Sequence, residues 1–209
     1  MKSKTTTAIV LGQKKFGEND KLVFLYTKDF GKLMTVVRGA RKMTSKFTGH
    51  LETLNSCDVT LYFGPGNILI TEILSSKSLL KDDTNFLQLK TGIQIAEVTN
   101  RLLEENHAID GLSNLLETSI MQLKKTEKPE IVLTCYIIKL LDMLGLMPEF
   151  NTGTRFKMEE KYVKYFNYAK LNPMHMLDNI NLKTEETQFI TKILKDYIEE
   201  EVNKKIIHL

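Results

Sequence analysis

The sequence predicts an α+β protein: a small closed barrel of five strands, followed by an all-helical domain. Three observations carry that expectation. Residues 1–80 form short runs of β-branched and aromatic residues divided by glycine turns. Beyond residue 80, apolar residues recur at helical spacing instead. Charge changes at the same place: residues 1–80 hold 12 Lys+Arg and 6 Asp+Glu, residues 81–209 hold 17 and 20, and the net +3 conceals this split. The excess is densest in residues 1–50, with 11 basic and 3 acidic side chains. We therefore expect two domains, 1–80 and 81–209, the first suited to a polyanion and the second to protein contacts. With 209 residues, 42% of them hydrophobic, the chain can bury its cores and is not intrinsically disordered.

The strand-length runs are 5–16, 21–27, 32–38, 53–63 and 67–76. Gly17-Glu18-Asn19-Asp20, Asp29-Phe30-Gly31 and Gly64-Pro65-Gly66 mark turns between them, and a long basic loop separates the third run from the fourth. In the second run Leu22, Phe24 and Tyr26 alternate with Lys21, Val23 and Leu25, the weakly amphipathic period of a strand in a small barrel. Five strands with a wide third connection are compatible with an OB-fold, and an SH3-like barrel is the competitor.

After Asp82-Asp83-Thr84, which suit the positive end of a helix, Phe86, Leu89, Ile93, Ala96 and Leu103 define one apolar face. A second helix is expected over 109–125, with Leu112, Leu116 and Leu123 inward. The third starts at Pro129, whose missing N–H is harmless in a first turn, and ends at Gly145 ahead of Pro148. Its interior is apolar nearly all round, which marks the central helix of a bundle. Residues 149–171 admit either a loop with a short hairpin or an irregular helix. A short helix at 173–177 and a last one over 184–205, with Phe189, Ile193, Tyr197 and Val202 along one face, complete the domain.

For catalysis the inventory is thin. The four histidines form no HExxH arrangement, no GxxxxGK[ST] loop is present, and Asp82-Asp83, Glu104-Glu105 and Glu199-Glu200-Glu201 fall on helix ends or exposed faces. No enzyme, cofactor or metal is predicted. Cys57 and Cys135 supply neither a disulfide framework nor a cysteine-rich zinc site and read as small buried hydrophobes; His175 between Met174 and Met176 reads as helix packing. With neither a signal peptide nor an apolar run near the ~18 residues of a membrane span, the chain reads as cytoplasmic, without membrane contact.

The informative segment is VVRGARKMTSKFTGH, residues 36–50. It offers Arg38, Arg41, Lys42 and Lys46 together with the hydroxyls of Thr44, Ser45 and Thr48. Nucleic-acid binding needs such a set, because cations release counterions from phosphates and small donors position the backbone. Lys14, Lys15 and Lys21 lie on neighbouring strand ends, where they could line the same groove. Phe16, Phe24, Tyr26 and Phe47 are candidate stacking platforms, with the barrel core competing for Phe24 and Tyr26.

Within GENDKLVFLYTKDFGKLMTVVRGARKMTSKF, the carrying residues are Gly17-Glu18 and Asp20, Thr27 followed by Gly31, and Arg38-Gly39-Ala40-Arg41-Lys42. In order and spacing they resemble the N-terminal signature of the RecO family of bacterial DNA repair proteins, and the GLxP turn at Gly145-Leu146-Met147-Pro148 is similar to one in that family's helical domain. The resemblance implies an OB-fold that binds single- and double-stranded DNA, held by the helical domain, in a nucleoid-associated protein. It further implies a recombination mediator that anneals complementary strands and, with the partner RecR, helps load RecA onto DNA coated by single-strand-binding protein. The acidic C-terminal tail of single-strand-binding protein would then bind the helical domain, where Arg101, Lys124, Lys125 and Lys139 are the cations near apolar faces. Many members carry a four-cysteine zinc site after the GLxP turn, whereas here Met147-Pro148-Glu149-Phe150 leads into NTGTRF with no cysteine. A zinc-less variant is therefore expected, its degenerate segment at about 149–172 held by Phe156, Tyr162, Tyr165 and Phe166.

Two functions compete with DNA mediation. One is a non-enzymatic protein-interaction adaptor whose basic barrel binds an acidic partner. The other, a nuclease, is disfavoured because no convergent carboxylates accompany the basic loop.

Overall fold

The computed structural model describes residues 3–80, 84–148 and 158–200. Strands β1 (Ser3–Phe16), β2 (Asp20–Thr27), β3 (Gly31–Val37), β4 (Asn55–Phe63) and β5 (Ile68–Ser78) close into a barrel in the order β1-β2-β3-β5-β4. A shift in register between Val10 and Gly12 bends β1, so one long strand pairs with β4 through its first half and with β2 through its second. Strand β3 meets β5 in parallel, with Thr35 opposite Ile68 and Val36 opposite Leu69. This is the order of an OB-fold, and the SH3-like alternative falls away. Val10, Val23, Leu25, Leu33, Val37, Val59 and Leu61 fill the barrel, and Ala40 and Leu51 of the β3–β4 loop join the same core.

Helices α1 (Phe86–Leu102), α2 (Leu112–Leu123), α3 (Pro129–Met143), α4 (Glu160–Leu171) and α5 (Thr184–Glu200) follow, with a 3-10 turn at Met174–Asn179. As the sequence predicts, α3 is central: it touches the other four helices, and Leu112, Leu116 and Leu123 of α2 are fully buried. The stretch left open in the sequence contains α4, whose Tyr162, Tyr165 and Phe166 are buried; Phe156 lies outside the described residues.

Two helix faces differ from expectation. On α1, Phe86, Leu89 and Ile93 are 82%, 43% and 44% exposed, while Ile95, Val98, Thr99 and Leu102 are buried with Ala96. The reason is close packing by small and polar residues. A Cβ added at Gly92 would lie 2.8 Å from Leu54 Cδ1, and Thr99 Oγ1 hydrogen-bonds with Tyr136 Oη at 2.5 Å. The buried side therefore carries less apolar signal than the open one. On α5 the buried line is Ile190, Leu194 and Ile198, one residue on from the expected face; Phe189 is exposed, and Val202 lies outside the described residues. The cap of α1 also differs. Asn85 Oδ1 accepts from Gln88 N (2.9 Å) and Gln88 Oε1 accepts from Asn85 N (2.8 Å), a reciprocal capping box. Thr84 instead donates to Leu80 O, and Asp82-Asp83 fall outside the described residues.

Barrel and helices are joined along the start of β3. Lys32 Nζ donates to Asn100 O (2.5 Å) and Leu103 O (3.0 Å), carbonyls at the C-terminal end of α1, where a cation is favoured. Gly31 has φ +69, and a Cβ there would lie 2.0 Å from His107 O. Thr27 holds this turn, donating to Gly31 O (2.9 Å) and accepting from Phe30 N (3.1 Å). Tyr26 belongs neither to the barrel core nor to a stacking surface. Its hydroxyl exchanges hydrogen bonds of 3.1 Å with both Ile109 O and Ile109 N, beneath the α1–α2 connection.

Candidate nucleic-acid interface

Outward side chains of β1, β2 and β3 form cross-strand rows. Phe24 stands between Gly12 and Met34, Leu22 between Lys14 and Val36, and Asp20 beside Phe16. The Tyr26 row is sealed by the helices; toward the β1–β2 turn Leu22 and Val36 are still buried, but Phe16 and Met34 beside them are 47% and 41% exposed. Lys14 Nζ lies 5.4 Å from the centroid of the half-buried Phe24 ring. A Cβ at Gly12 would meet nothing within 4 Å, so the space above the Phe24 row is free. This is the β2–β3 side with which OB-folds bind oligonucleotides, and aromatic rings beside cations suit stacking against bases.

The β3–β4 loop is a chain of turns: Lys42 N donates to Gly39 O, Ser45 N to Lys42 O, Thr48 N to Ser45 O and His50 N to Phe47 O. It is fastened to the β1–β2 turn. Asp20 Oδ1 accepts from Gly39 N (2.8 Å), Arg41 N donates to Asn19 O (2.9 Å), and Arg41 Nη1 donates to Gly17 O (3.1 Å) and Glu18 O (2.6 Å). Arg41 is thus a clamp on the turn as well as a surface cation. The loop presents Arg38, Lys42 and Lys46 as exposed side chains, and neither Arg38 nor Lys42 has an ion-pair partner among the described residues.

The strand-end lysines do not form one set. Alternation sends Lys14 to the outer face and Lys15, opposite Lys21, to the other. Lys15 is exposed, whereas Lys21 Nζ donates to Gln13 Oε1 (2.6 Å) and lies 3.9 Å from Glu52, so its charge is partly compensated. Phe47 packs on the barrel core, with Lys46 Nζ 5.6 Å from its ring. Met34 and the fully exposed Met43 are not among the platforms expected from the sequence; strand alternation beside Leu33 and Thr35 is the available signal for Met34.

Of the helical cations, Lys125 and Lys139 meet. They line a cavity of about 510 Å³ between α2, α3 and the 3-10 turn, with Leu115, Met121 and Met174 as its apolar contacts. Lys139 Nζ donates to Lys170 O (3.1 Å), and burial holds its ammonium below the usual lysine range. Arg101 and Lys124 do not line this cavity, and Arg101 reaches Glu97 at 4.0 Å.

The two thiols stand apart, Cys57 donating to His50 O (3.2 Å) and Cys135 beside Tyr165 Oη (3.2 Å). Burial pushes both up to about 12. Among the described residues no three His, Cys, Asp or Glu side chains gather to hold a metal ion, so the donors present do not fit a four-cysteine zinc site. Residues 149–157 lie outside the described residues.

The family model for the N-terminal part of recombination protein O matches residues 1–75, and that for its C-terminal part matches residues 91–161. The DNA repair protein RecO of Thermoanaerobacter sp. (strain X514) is 31% identical over 166 residues, covering 78% of this chain and 65% of that protein. Its counterpart in Listeria monocytogenes serotype 4a (strain HCC23) is 24% identical over 223 residues, covering 92% and 87%. The Dehalococcoides mccartyi (strain BAV1) protein of the same name is 33% identical over 145 residues, covering 69% and 57%. The match therefore spans less than two thirds of the Thermoanaerobacter and Dehalococcoides relatives and most of the Listeria one. Two models of one family lie in order on the barrel and on the helices and together match well over half of the residues: the chain belongs to the RecO family.

Proposed function

We propose that this protein is a DNA-binding recombination mediator of DNA repair that anneals strands, acts with RecR to help load RecA onto DNA coated by single-strand-binding protein, and performs no turnover chemistry. One observation carries the reading: the open end of the OB-fold face combines Lys14 over Phe24 and exposed Phe16 with the exposed cations Arg38 and Lys42 of the loop that is fastened to the β1–β2 turn. The mechanism is electrostatic. Two single strands repel each other, and a basic surface that screens both raises the frequency of productive encounters. In this reading residues 1–80 form the DNA-binding domain and residues 81–209 the partner-binding one, in a cytoplasmic, nucleoid-associated protein. The acidic tail of single-strand-binding protein fits the cavity at Lys125 and Lys139, whose apolar lining and cationic rim suit an aromatic residue with a free carboxylate.

Fluorescence anisotropy of the full chain with a labelled oligonucleotide at two salt concentrations tests the reading. With about six phosphates contacted, the single-strand salt slope is near −4, a few-hundredfold loss of affinity between ~50 and ~200 mM salt. A flat response, or no binding at low salt, overturns it. Calorimetry with a tail peptide and with the same peptide lacking its last aromatic residue tests the cavity. Equal binding of both overturns that assignment.

A further inference from the structure

We propose that a second single strand is held in the groove between α1, α3 and α5, apart from the barrel face; this rests on the DNA-binding reading above. The groove encloses about 350 Å³. Lys90 stands on its α1 wall and Lys192 on its α5 wall, with Lys195, which already has a partner of its own, beside it; Glu130 of α3 is the carboxylate in the lining. Residues 81–209 are net acidic, with 17 basic and 20 acidic side chains, so this concentration of lysines is local rather than a general property of the helices. Lys90 and Lys192 are exposed.

Gln188 adds an exposed neutral amide from the α5 wall, whereas Gln94 of α1 is buried and already partnered. Point charges on opposite walls, with directional donors beside them, are what a phosphate backbone takes. Leu87 lines the groove and is 38% exposed, and Phe86, its neighbour in the first turn of α1, is 82% exposed, so an unstacked base has an apolar surface close by. The requirement for a second surface comes from annealing itself. Two strands of like charge must be screened together, and a strand on the barrel face occupies the cations there.

The test counts strands per chain. Stoichiometric titration of the full protein with a labelled thymidine 12-mer at low salt gives two strands per chain for the wild type and one for K90E/K192E, with the first strand's affinity kept within about twofold. Reversal at Arg38 and Lys42 removes the other strand instead. Annealing of two complementary oligonucleotides slows at least about tenfold in K90E/K192E. If that variant melts early, K90Q/K192Q, which keeps the aliphatic bulk, carries the same count. One strand per chain in the wild type, or two in both proteins, overturns the second site. An unchanged count with lost binding of an acidic peptide reassigns the groove to a protein partner and overturns it too. No strand on the wild type overturns the DNA-binding reading itself, a distinguishable result.

Discussion

The β1–β3 face has two ends with opposite fates. At one, Tyr26 and Lys32 lie beneath the helices, and each polar atom meets a backbone partner from the α1–α2 region. At the other, Lys14, Phe16 and Met34 stand open, beside Arg38 and Lys42, which have no ion-pair partner among the described residues. Alternation along β2 and β3 is the same at both ends, and the shift between Val10 and Gly12 keeps β1 in step with them, so what differs is the neighbour. The sealed end consumes its hydrogen-bonding capacity in holding the fold. The open end keeps its capacity for an anion from outside.

The sharpest way to break the sealed end is Gly31→Ala. The new Cβ would meet His107 O at 2.0 Å, a backbone atom, at a residue with φ +69. Clash and left-handed strain together should cost more than about 3 kcal/mol and separate the barrel from the helices. Denaturant unfolding measures this, and an unchanged midpoint would show that the two parts are not coupled through this contact.

Next in size is the open end. Charge reversal at Arg38 and Lys42 should weaken oligonucleotide binding by about 2 kcal/mol, roughly thirtyfold, and make the salt slope shallower by about 1.4, with stability changed by less than about 0.5 kcal/mol. Arg41→Glu should behave differently, because its guanidinium also holds Gly17 O and Glu18 O. There both binding and stability fall. Equal stability of the two variants would remove the clamp role.

Smaller again is Tyr26→Phe at the sealed end. It leaves Ile109 N and O without their hydroxyl partner and should cost about 1–2 kcal/mol, with DNA affinity untouched. A loss of affinity without a loss of stability would mean that Tyr26 faces the ligand after all.

How much of this was legible in the sequence follows the same division. Strand positions were, because Gly17, Gly31 and Gly64-Pro65-Gly66 punctuate them, and so was the basic loop, whose residues are contiguous in the chain. The sealed end was not. Period 2 assigns Tyr26 to a face, but only the Ile109 backbone, 83 positions away, decides what covers it. The α1 face was misread because Gly92 and Thr99 mark the buried side through close approach and a hydroxyl pair, neither of which raises hydrophobicity. Arg41 looked like its neighbours, since a cation's partner on another turn leaves no local trace.

The smallest effect tests whether a half-buried charge that already has protein partners behaves unlike the unpaired cations. Asp58 on β4 accepts from Ser75 Oγ (2.7 Å) and Thr7 Oγ1 (2.8 Å), and these bonds, Ser75 first, hold its carboxyl below the usual aspartate range. A depressed folded-state pKa contributes stability that is present above the unfolded value, near 4, and is lost as pH falls through the folded one. Solvent screens the group, so Asp58→Asn should cost less than about 0.5 kcal/mol at pH 7 and nothing once both states are protonated. Urea midpoints of wild type and variant should therefore converge on acidification, while oligonucleotide affinity at pH 7 stays the same. A gap that widens toward low pH would mean that the two hydroxyls do not favour the carboxylate. A change in DNA affinity would mean that the nucleic acid reaches past the open end of β1–β3 to the β4–β5 side of the barrel.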